Sequence, residues 1–419
     1  MLINKLKHLL SDKFIRNVGW LGASELVNRI FRLGVTVTLA RLFRPYDYGL
    51  VSVVYTTFEF AMVLTLRGGT GAKIVQANEQ DVKTICDTSY WLNWILCGSL
   101  FIIQCVAAFP IAQFYGNNQL ILPLCTIALT YLMLPGFLIQ ESLLQRENRL
   151  EVVALCQATQ GILSNTLTIG LALLGMGVWA IVWSMVLTTP VWIVINYMNH
   201  PWRPPKSFTL ERSKEIINFG KNLLGVELLG KLRGNLDYLL IGGFLGIDAL
   251  GVYYFAFNAG LGISLSVIVT LTSALFPYLC EARGNLNQFK NRYFGSLKKI
   301  ALIVVPLVVL QSSLAPLYVP IVFGQKWVGA IPILVLICLS AVPMAFARAA
   351  SQLLQAVDKS HIDLYWNIIF TVIFAASLLL AMRGGIYWVA VAVLISQVVA
   401  LPIFTIWVSR SVFAKKSDF

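Results

Sequence analysis

Charged side chains embedded in long apolar stretches give this chain its chemical character. Two glutamates each stand four residues before a base, Glu25 before Arg29 and Glu227 before Lys231. This spacing places each pair on one face of a helix, where the carboxylate can hold the cation in position. A charge at membrane depth is costly unless it faces protein, water or a partner. The pairs therefore predict either salt bridges that let polar helices insert, or a charged and water-filled cavity.

Six bases remain inside the apolar stretches after the loops are counted, and five of them lie in the first and seventh predicted helices. Arginine donates two parallel hydrogen bonds to phosphate oxygens, so a cavity lined by these bases predicts an anionic cargo. The predicted head-group ligands are Arg29, Arg32, Lys221, Lys231, Arg233 and Arg348. The predicted supporting or ion-coupling carboxylates are Glu25, Glu59, Glu227 and Asp237, the last of them four residues after Arg233.

Several of these side chains have an alternative explanation. Arg32 and Lys221 could extend to a membrane interface instead of facing a cavity. Glu59 is either a protonatable coupling site or the partner of a base in the first helix. Asn28 and Asn235 could bind sugar hydroxyls, or they could make hydrogen bonds between helices.

The composition predicts that helices embedded in a membrane position these side chains. Hydrophobic residues make up 58% of the chain and charged residues 12%, and the mean hydropathy is +0.76. A bilayer core needs about 20 apolar residues per helix. Twelve stretches meet this need, which predicts an all-α integral membrane protein with no room for a soluble domain. They lie near 18–40, 48–66, 89–109, 119–140, 152–174, 178–198, 216–243, 251–277, 299–323, 329–352, 363–382 and 386–409.

The chain also contains an internal repeat. Several motifs recur in the same order at offsets that drift from 202 to 210 residues. Because each half has six spans, an even number, both halves begin on the same side of the membrane. The repeats should therefore relate by a pseudo-two-fold axis along the membrane normal. The predicted domains are a six-helix bundle at 1–199, a cytoplasmic connector at 200–215 and a second six-helix bundle at 216–419. The recurring motifs are FYG 114–116 with VFG 322–324, LLQ 143–145 with LLQ 353–355, and GVW 177–179 with GIY 385–387.

The net charge of +13 is explained by membrane topology. With the N-terminus in the cytoplasm, 22 of the 32 Lys and Arg residues fall in cytoplasmic segments and four in the opposite loops. This bias predicts that both termini are cytoplasmic. Residues 1–16 alternate apolar and basic positions, which predicts a segment lying on the inner leaflet. Nothing resembles a nucleic-acid-binding face, so no nucleic-acid partner is expected.

The sequence offers no catalytic or metal constellation. The three histidines, His8, His200 and His361, have no metal-ligand spacing, and the seven cysteines do not suggest a disulfide framework. There is no Walker loop and no nucleophile elbow. We therefore expect neither an enzyme nor a cofactor, and the coupling ion, a proton or sodium, stays open.

Several segments resemble signatures of the polysaccharide transport family. The resemblance extends over essentially the whole chain, although the proline of one family signature, "FG-P", is replaced here. The segments are LARLFRPYDYGLVSV (39–53), LLQR (143–146), NFGKNLLG (218–225), NLDYLLIGGFLGIDALGVYYFAFN (235–258), LFPYL (275–279) and FGQKW (323–327).

This resemblance implies a function in the bacterial inner membrane. Members are thought to flip or export lipid-linked oligosaccharides for O-antigen, capsule or exopolysaccharide. They belong to a superfamily with multidrug–cation antiporters and the peptidoglycan-precursor flippase, built from two six-helix bundles in a V. The implied partners are the polyprenyl-diphosphate-linked oligosaccharide, membrane lipids, a polysaccharide polymerase and a chain-length regulator. The alternative is a multidrug or other small-molecule cation-coupled antiporter, which would favour an acidic or aromatic cavity.

Overall fold

The computed structural model describes residues 13–414, apart from a few side chains within its helices. The predicted inner-leaflet segment at 1–16 lies mainly outside this range. Helices and their short connections account for all of 13–414, with no strand among them. Internal packing divides the chain into two units, Met1–Asn235 and Leu236–Phe419.

From residue 13 onwards, unit 1 is built by nine helices and by the first part of a tenth. The longest pairings are those of α1 with α7 and of α4 with α5, and the short helix α3 packs on α6. Tyr131, Leu134 and Phe137 are buried in its core. The helices are α1 Lys13–Leu42, α2 Pro45–Leu64, α3 Arg67–Gln76, α4 Val82–Phe114, α5 Ile121–Met133, α6 Leu138–Arg146, α7 Leu150–Leu173, α8 Val178–Thr188, α9 Pro190–Asn199 and α10 Ser213–Leu245.

Unit 2 begins inside α10. Its longest pairings join α16 and α17 with α18. The division between the two units falls inside α10 and not at the ends of the two predicted bundles, 199 and 216. Those two boundaries remain a prediction. The remaining helices are α11 Ile247–Ala259, α12 Leu261–Ser273, α13 Leu275–Cys280, α14 Leu286–Tyr318, α15 Ile331–Leu339, α16 Ala341–Ala356, α17 Ser360–Ala381 and α18 Ile386–Ala414.

Eight helical segments of the described chain are long and apolar enough to cross a membrane, and a pair bent by 51° would make nine. The predicted count of twelve is therefore not confirmed. The other three predicted spans fall in α1, α7 and α10, whose 30, 24 and 33 residues give ample length. These helices are less apolar than the eight segments. In α1 and α10 the reason is that they carry most of the intramembrane charges predicted from the sequence. The eight segments are Pro45–Gln76, Val82–Phe114, Asn118–Gly136, Val178–Asn199, Leu286–Phe323, Gln325–Ala356, Ser360–Gly384 and Ile386–Ala414.

The internal repeat appears in the backbone conformation. Asn148 and Asp358, 210 residues apart, both have a φ of 57° at the end of a helix. Asparagine and aspartate are among the few non-glycine residues that tolerate this left-handed region. Two glycine pairs repeat the same behaviour at matching offsets: Gly116 with Gly324, and Gly177 with Gly385. The motifs that suggested the repeat thus lie where corresponding helices end or begin.

Within unit 1, α3 and α10 approach closely at a pair of glycines. A Cβ atom added to Gly69 would lie 2.6 Å from the Cα atom of Gly220. Real Cβ atoms do not approach backbone so closely, so only glycine allows this crossing. One turn further along α3, the ammonium group of Lys73 lies 2.6 Å from the carboxylate of Glu215.

Substitution of Gly69 with alanine should destabilise unit 1, because the new methyl group meets backbone. Overpacking of this kind costs about 1–3 kcal/mol, so we expect a clearly lower midpoint of thermal unfolding for the purified protein in detergent. Gly225→Ala on α10 is the matched control, since a Cβ atom there meets nothing within 4 Å. Equal midpoints for the two variants would contradict the proposed glycine crossing.

Candidate functional site

A cavity of about 690 Å³ lies inside unit 1, where α2, α3, α6 and α10 meet. It forms at a break within the segment Pro45–Gln76, at the last residue of the second predicted span. Leu66, with a φ of 55°, separates α2 from α3, so the first turn of α3 faces the cavity. Five charged side chains lie on the wall: Glu59, Arg67, Glu141, Glu227 and Lys231.

Arg67, the first residue of α3, forms an ion pair with Glu141 of α6. One guanidinium nitrogen donates to both carboxylate oxygens, at 2.8 and 2.6 Å. The side chain of Glu141 is 9% exposed, so the pair is largely shielded from water. The rings of Phe137 and Trp192 flank the guanidinium carbon at 5.8 and 5.6 Å, a distance at which cation–π attraction adds to the pairing. The pair fixes the start of α3 against α6.

The second ion pair on the wall joins Lys231 of α10 to Glu59 of α2, at 3.0 Å. The predicted pairing of Lys231 with Glu227 is therefore wrong. A carboxylate from a neighbouring helix has replaced the one a turn away on the same helix. Glu59 does pair with a base, but that base lies in α10 and not in the first helix. Glu227 lies on the same cavity wall.

The first helix confirms its predicted pair. Arg29 lies 3.0 Å from Glu25, and Arg32 reaches the same carboxylate oxygen at 3.4 Å. Two cations thus share one carboxylate, and the side chains of Arg29 and Arg32 remain 34% and 62% exposed. Neither arginine is among the described residues on the cavity wall.

The two asparagines predicted to bind sugar are engaged with backbone. The Nδ2 atom of Asn28 donates to the carbonyl oxygen of Gln157 at 3.1 Å, and its side chain packs against Gly161 of α7. The Nδ2 atom of Asn235 donates to the carbonyl of Lys231 at 3.0 Å. The first of these bonds joins two helices, which agrees with the alternative raised for Asn28.

The remaining predicted residues are spread over both units. Asp237 is buried in unit 2, where it accepts hydrogen bonds from the Tyr253 hydroxyl at 2.7 Å and from the Tyr238 backbone at 3.0 Å. Lys221 on α10 and Arg348 on α16 are exposed. A binding role for these residues, and for Arg233 on α10, remains a prediction.

The cavity differs in charge from the cationic site expected from the sequence. Its described wall residues include two bases and three acids, which gives a net charge of −1. Of the six predicted cations, only Lys231 lies on this wall, and Arg67 is the second base. Arg67 and Glu141 each lie directly after a predicted span, so neither was among the intramembrane charges predicted from the sequence. The available signal was a carboxylate two residues before the LLQR motif.

Arg146, the arginine of the LLQR motif, has a structural role. Its guanidinium group donates to the carbonyl oxygens of Ile74 and Val75 at 3.1 and 3.0 Å, at the end of α3. It thereby satisfies the terminal carbonyls that a helix leaves unpaired. A second cavity, of about 910 Å³, lies beside it. The C-terminus of α3 is thus held by Arg146 as its N-terminus is held by Glu141.

Charges also tie the connector to unit 1. Arg212 lies 2.8 Å from Asp81 and 3.1 Å from Glu215, and Glu215 also meets Lys73. The hydrogen-bonded Lys73 ammonium group lowers the pKa of the Glu215 carboxyl group below its ordinary value. These contacts hold the start of α10 beside the C-terminus of α3 and the N-terminus of α4.

Comparison with known proteins identifies the family of this chain. Residues 38–332 match the family model described as polysaccharide biosynthesis protein, and the chain belongs to that family. It is 25% identical over 332 residues to the teichuronic acid biosynthesis protein TuaB of Bacillus subtilis (strain 168), covering 78% of this chain and 68% of TuaB. It is 24% identical over 407 residues to the lipopolysaccharide biosynthesis protein WzxC of Escherichia coli (strain K12), covering 93% and 80%. The resemblance noted in the sequence is confirmed.

A solved structure shows the fold class. The lipid II flippase MurJ, in an inward closed conformation, aligns with a TM-score of 0.75 and 13% identity, covering 92% of this chain and 86% of MurJ. The expected all-α fold class is therefore confirmed, although the predicted count of twelve spans is not. This chain is a multi-span membrane protein.

Replacement of Glu141 with glutamine should destabilise the protein, because it leaves the Arg67 guanidinium group facing a neutral amide. Breaking a fully buried pair costs about 3–5 kcal/mol. Since Arg67 is 35% exposed, we expect a smaller loss, about 2 kcal/mol. The double variant Arg67→Met, Glu141→Leu should recover much of this loss. The measurement is thermal unfolding in detergent.

The matched control is Glu79→Gln, which removes the carboxylate partner of Arg146. The side chain of Glu79 is 90% exposed, so its removal should leave the unfolding midpoint almost unchanged. A Glu141→Gln midpoint equal to that of this control would show that the Arg67 pair does not stabilise unit 1.

Proposed function

We propose that this protein moves a polyprenyl-diphosphate-linked oligosaccharide across the bacterial inner membrane. Two findings together support the proposal. The chain matches the polysaccharide biosynthesis family, and its fold aligns with that of a lipid II flippase along 92% of the chain. The cargo is an O-antigen, capsule or exopolysaccharide repeat unit. Family and fold point to a transporter, and we propose no catalytic step and no cofactor.

The cargo sets the physical problem. A diphosphate cannot enter the apolar core of a bilayer uncompensated, because burying an unpaired charge costs far more than one protein interaction returns. Arg29 and Arg32 suit this need, since they share a single carboxylate and remain accessible. We assign them the diphosphate, with Glu25 holding both in place. Lys221, Arg233 and Arg348 are further candidates for the same head group.

The antiporter alternative has one observation in its favour. The cavity of unit 1 is net negative and carries the aromatic side chains of Tyr55 and Phe58, as a site for organic cations would. Family membership favours the polysaccharide cargo. The two functions predict different ligands for that cavity, so binding measurements separate them.

We further propose that both termini face the cytoplasm, as the charge bias of the loops predicts. Export would deliver the oligosaccharide to a polysaccharide polymerase and a chain-length regulator. Alternating access driven by a proton gradient, a sodium gradient or consumption of the product is compatible with this scheme.

Removal of the two cations of α1 should abolish export while the protein still inserts. In the source bacterium with the chromosomal copy deleted, the double variant Arg29→Ala, Arg32→Ala should lower surface polysaccharide at least ten-fold. The double lysine variant should retain partial activity, because it keeps charge and loses the bidentate geometry. Membrane levels of each variant are measured alongside.

The control is Arg383→Ala, which removes an exposed cation from a loop before α18. It should leave surface polysaccharide unchanged. Wild-type polysaccharide from a well-expressed double alanine variant would remove Arg29 and Arg32 from the mechanism.

The proposed orientation is tested by labelling single cysteines in a variant without the seven natural ones. Asn118 and Lys206 are both exposed, in a loop before α5 and in the connector. A membrane-impermeant maleimide added to spheroplasts should label Asn118→Cys and spare Lys206→Cys until the membrane is opened. The reverse pattern would place the termini outside the cytoplasm.

A further inference from the structure

We propose that the cavity of unit 1 binds the glycan of the cargo through sugar hydroxyls, and that the diphosphate is held elsewhere. This inference rests on the proposed function, and it assigns a chemical class of ligand to a cavity that shares only Lys231 with the predicted phosphate site. The wall residues that carry it are Glu59, Arg67, Glu141, Gln145, Glu227 and Lys231.

The charge balance argues against a diphosphate. Both bases on the wall are already paired: Lys231 with Glu59 at 3.0 Å and Arg67 with Glu141 at 2.6 Å. An incoming diphosphate would have to displace both carboxylates and leave them unpaired. It would also face the carboxylate of Glu227 on the same wall. The α1 cluster carries the opposite balance, with two cations to one acid, and offers an anion a better site.

The same wall suits a polyol. Each sugar hydroxyl can donate one hydrogen bond and accept others, so it needs acceptors and donors side by side. Carboxylates are pure acceptors, and arginine, lysine and amide nitrogens are donors. Gln76 and Gln145 add two amides to the wall, and Ser142 adds a hydroxyl. A neutral sugar can bind to these groups without breaking either ion pair.

Shape and apolar surface support the same ligand. A volume of about 690 Å³ lies within the range of about 300–1,000 Å³ that is typical of small-molecule sites. Tyr55 is 40% exposed and, with Phe58, offers ring surface to the C–H faces of a sugar. The small residues Gly68, Gly71 and Ala72 leave the facing wall open. Since the wall is net negative, we expect neutral sugars here and not acidic ones.

The test measures binding of a water-soluble probe to the purified full-length protein by calorimetry. The probe is the free oligosaccharide released from the lipid-linked unit of the source bacterium and freed of phosphate. Gln145→Ala and Glu227→Gln should each weaken its binding at least ten-fold. Gln113→Ala, which removes an exposed amide outside the cavity, should leave binding unchanged. Inorganic pyrophosphate should not compete with the oligosaccharide, even in the two cavity variants.

Three results would overturn the inference. The first is unaltered oligosaccharide binding in both cavity variants. The second is competition by pyrophosphate that Lys231→Ala abolishes. The third is a cavity that binds the organic cation tetraphenylphosphonium but no oligosaccharide. Surface polysaccharide from the complemented deletion strain is scored in parallel. If the wild-type gene restores polysaccharide and any of the three results is found, the glycan site is rejected and the proposed function stands. If the wild-type gene restores no polysaccharide, the proposed function itself is rejected.

Discussion

Pairing of charges between helices is the constraint on which unit 1 depends. Glu141 is shielded from water, and a carboxylate in that position is tolerated only because Arg67 supplies its counter-charge. That single pair fixes the break between α2 and α3, orients the first turn of α3, and makes α6 one wall of the cavity. The pairing of Lys231 with Glu59 then closes the cavity on the side of α10. Two ion pairs thus link α3 to α6 and α10 to α2, and all four charged groups lie on the cavity wall.

The two halves of the repeat share helix ends but differ in the groups around them. At the offset of 208 residues Leu66 corresponds to Ala274, which separates α12 from α13 in unit 2. No acid corresponds to Glu141: the matching position, 210 residues later, is Ser351, whose hydroxyl donates to Asp363 at 2.8 Å. Arg67 corresponds to Leu275 at the offset of 208 residues. The repeat therefore retains its helix ends and does not retain this ion pair.

This difference explains which features were predictable from the sequence. Helix ends follow from local backbone preferences, so the repeated motifs located them, and apolar stretches located most of the spans. The Glu25 and Arg29 pair was predictable because both residues lie on one helix. The pairing of Arg67 with Glu141 was not, since 74 residues separate them and neither recurs in the second half. Lys231 shows where rules based on local spacing stop. It pairs with Glu59, which tertiary packing brings close, and not with Glu227 on its own helix.

Under the proposed function, the protein would divide the binding of its cargo between two places. The α1 cluster of two cations and one carboxylate would hold the diphosphate, and the cavity of unit 1 would hold the glycan. Both assignments require a cargo that is anionic at its linkage, polar along its sugars and moved across a bilayer.

The most direct measurement reconstitutes the purified protein into vesicles that contain a fluorescent polyprenyl-diphosphate-linked oligosaccharide in both leaflets. A membrane-impermeant reductant then bleaches only the label exposed outside. The account predicts that the protein makes the inner-leaflet label accessible, so that nearly all fluorescence is lost, whereas protein-free vesicles keep the inner share. Protection of that inner share in vesicles that contain folded protein would contradict the account.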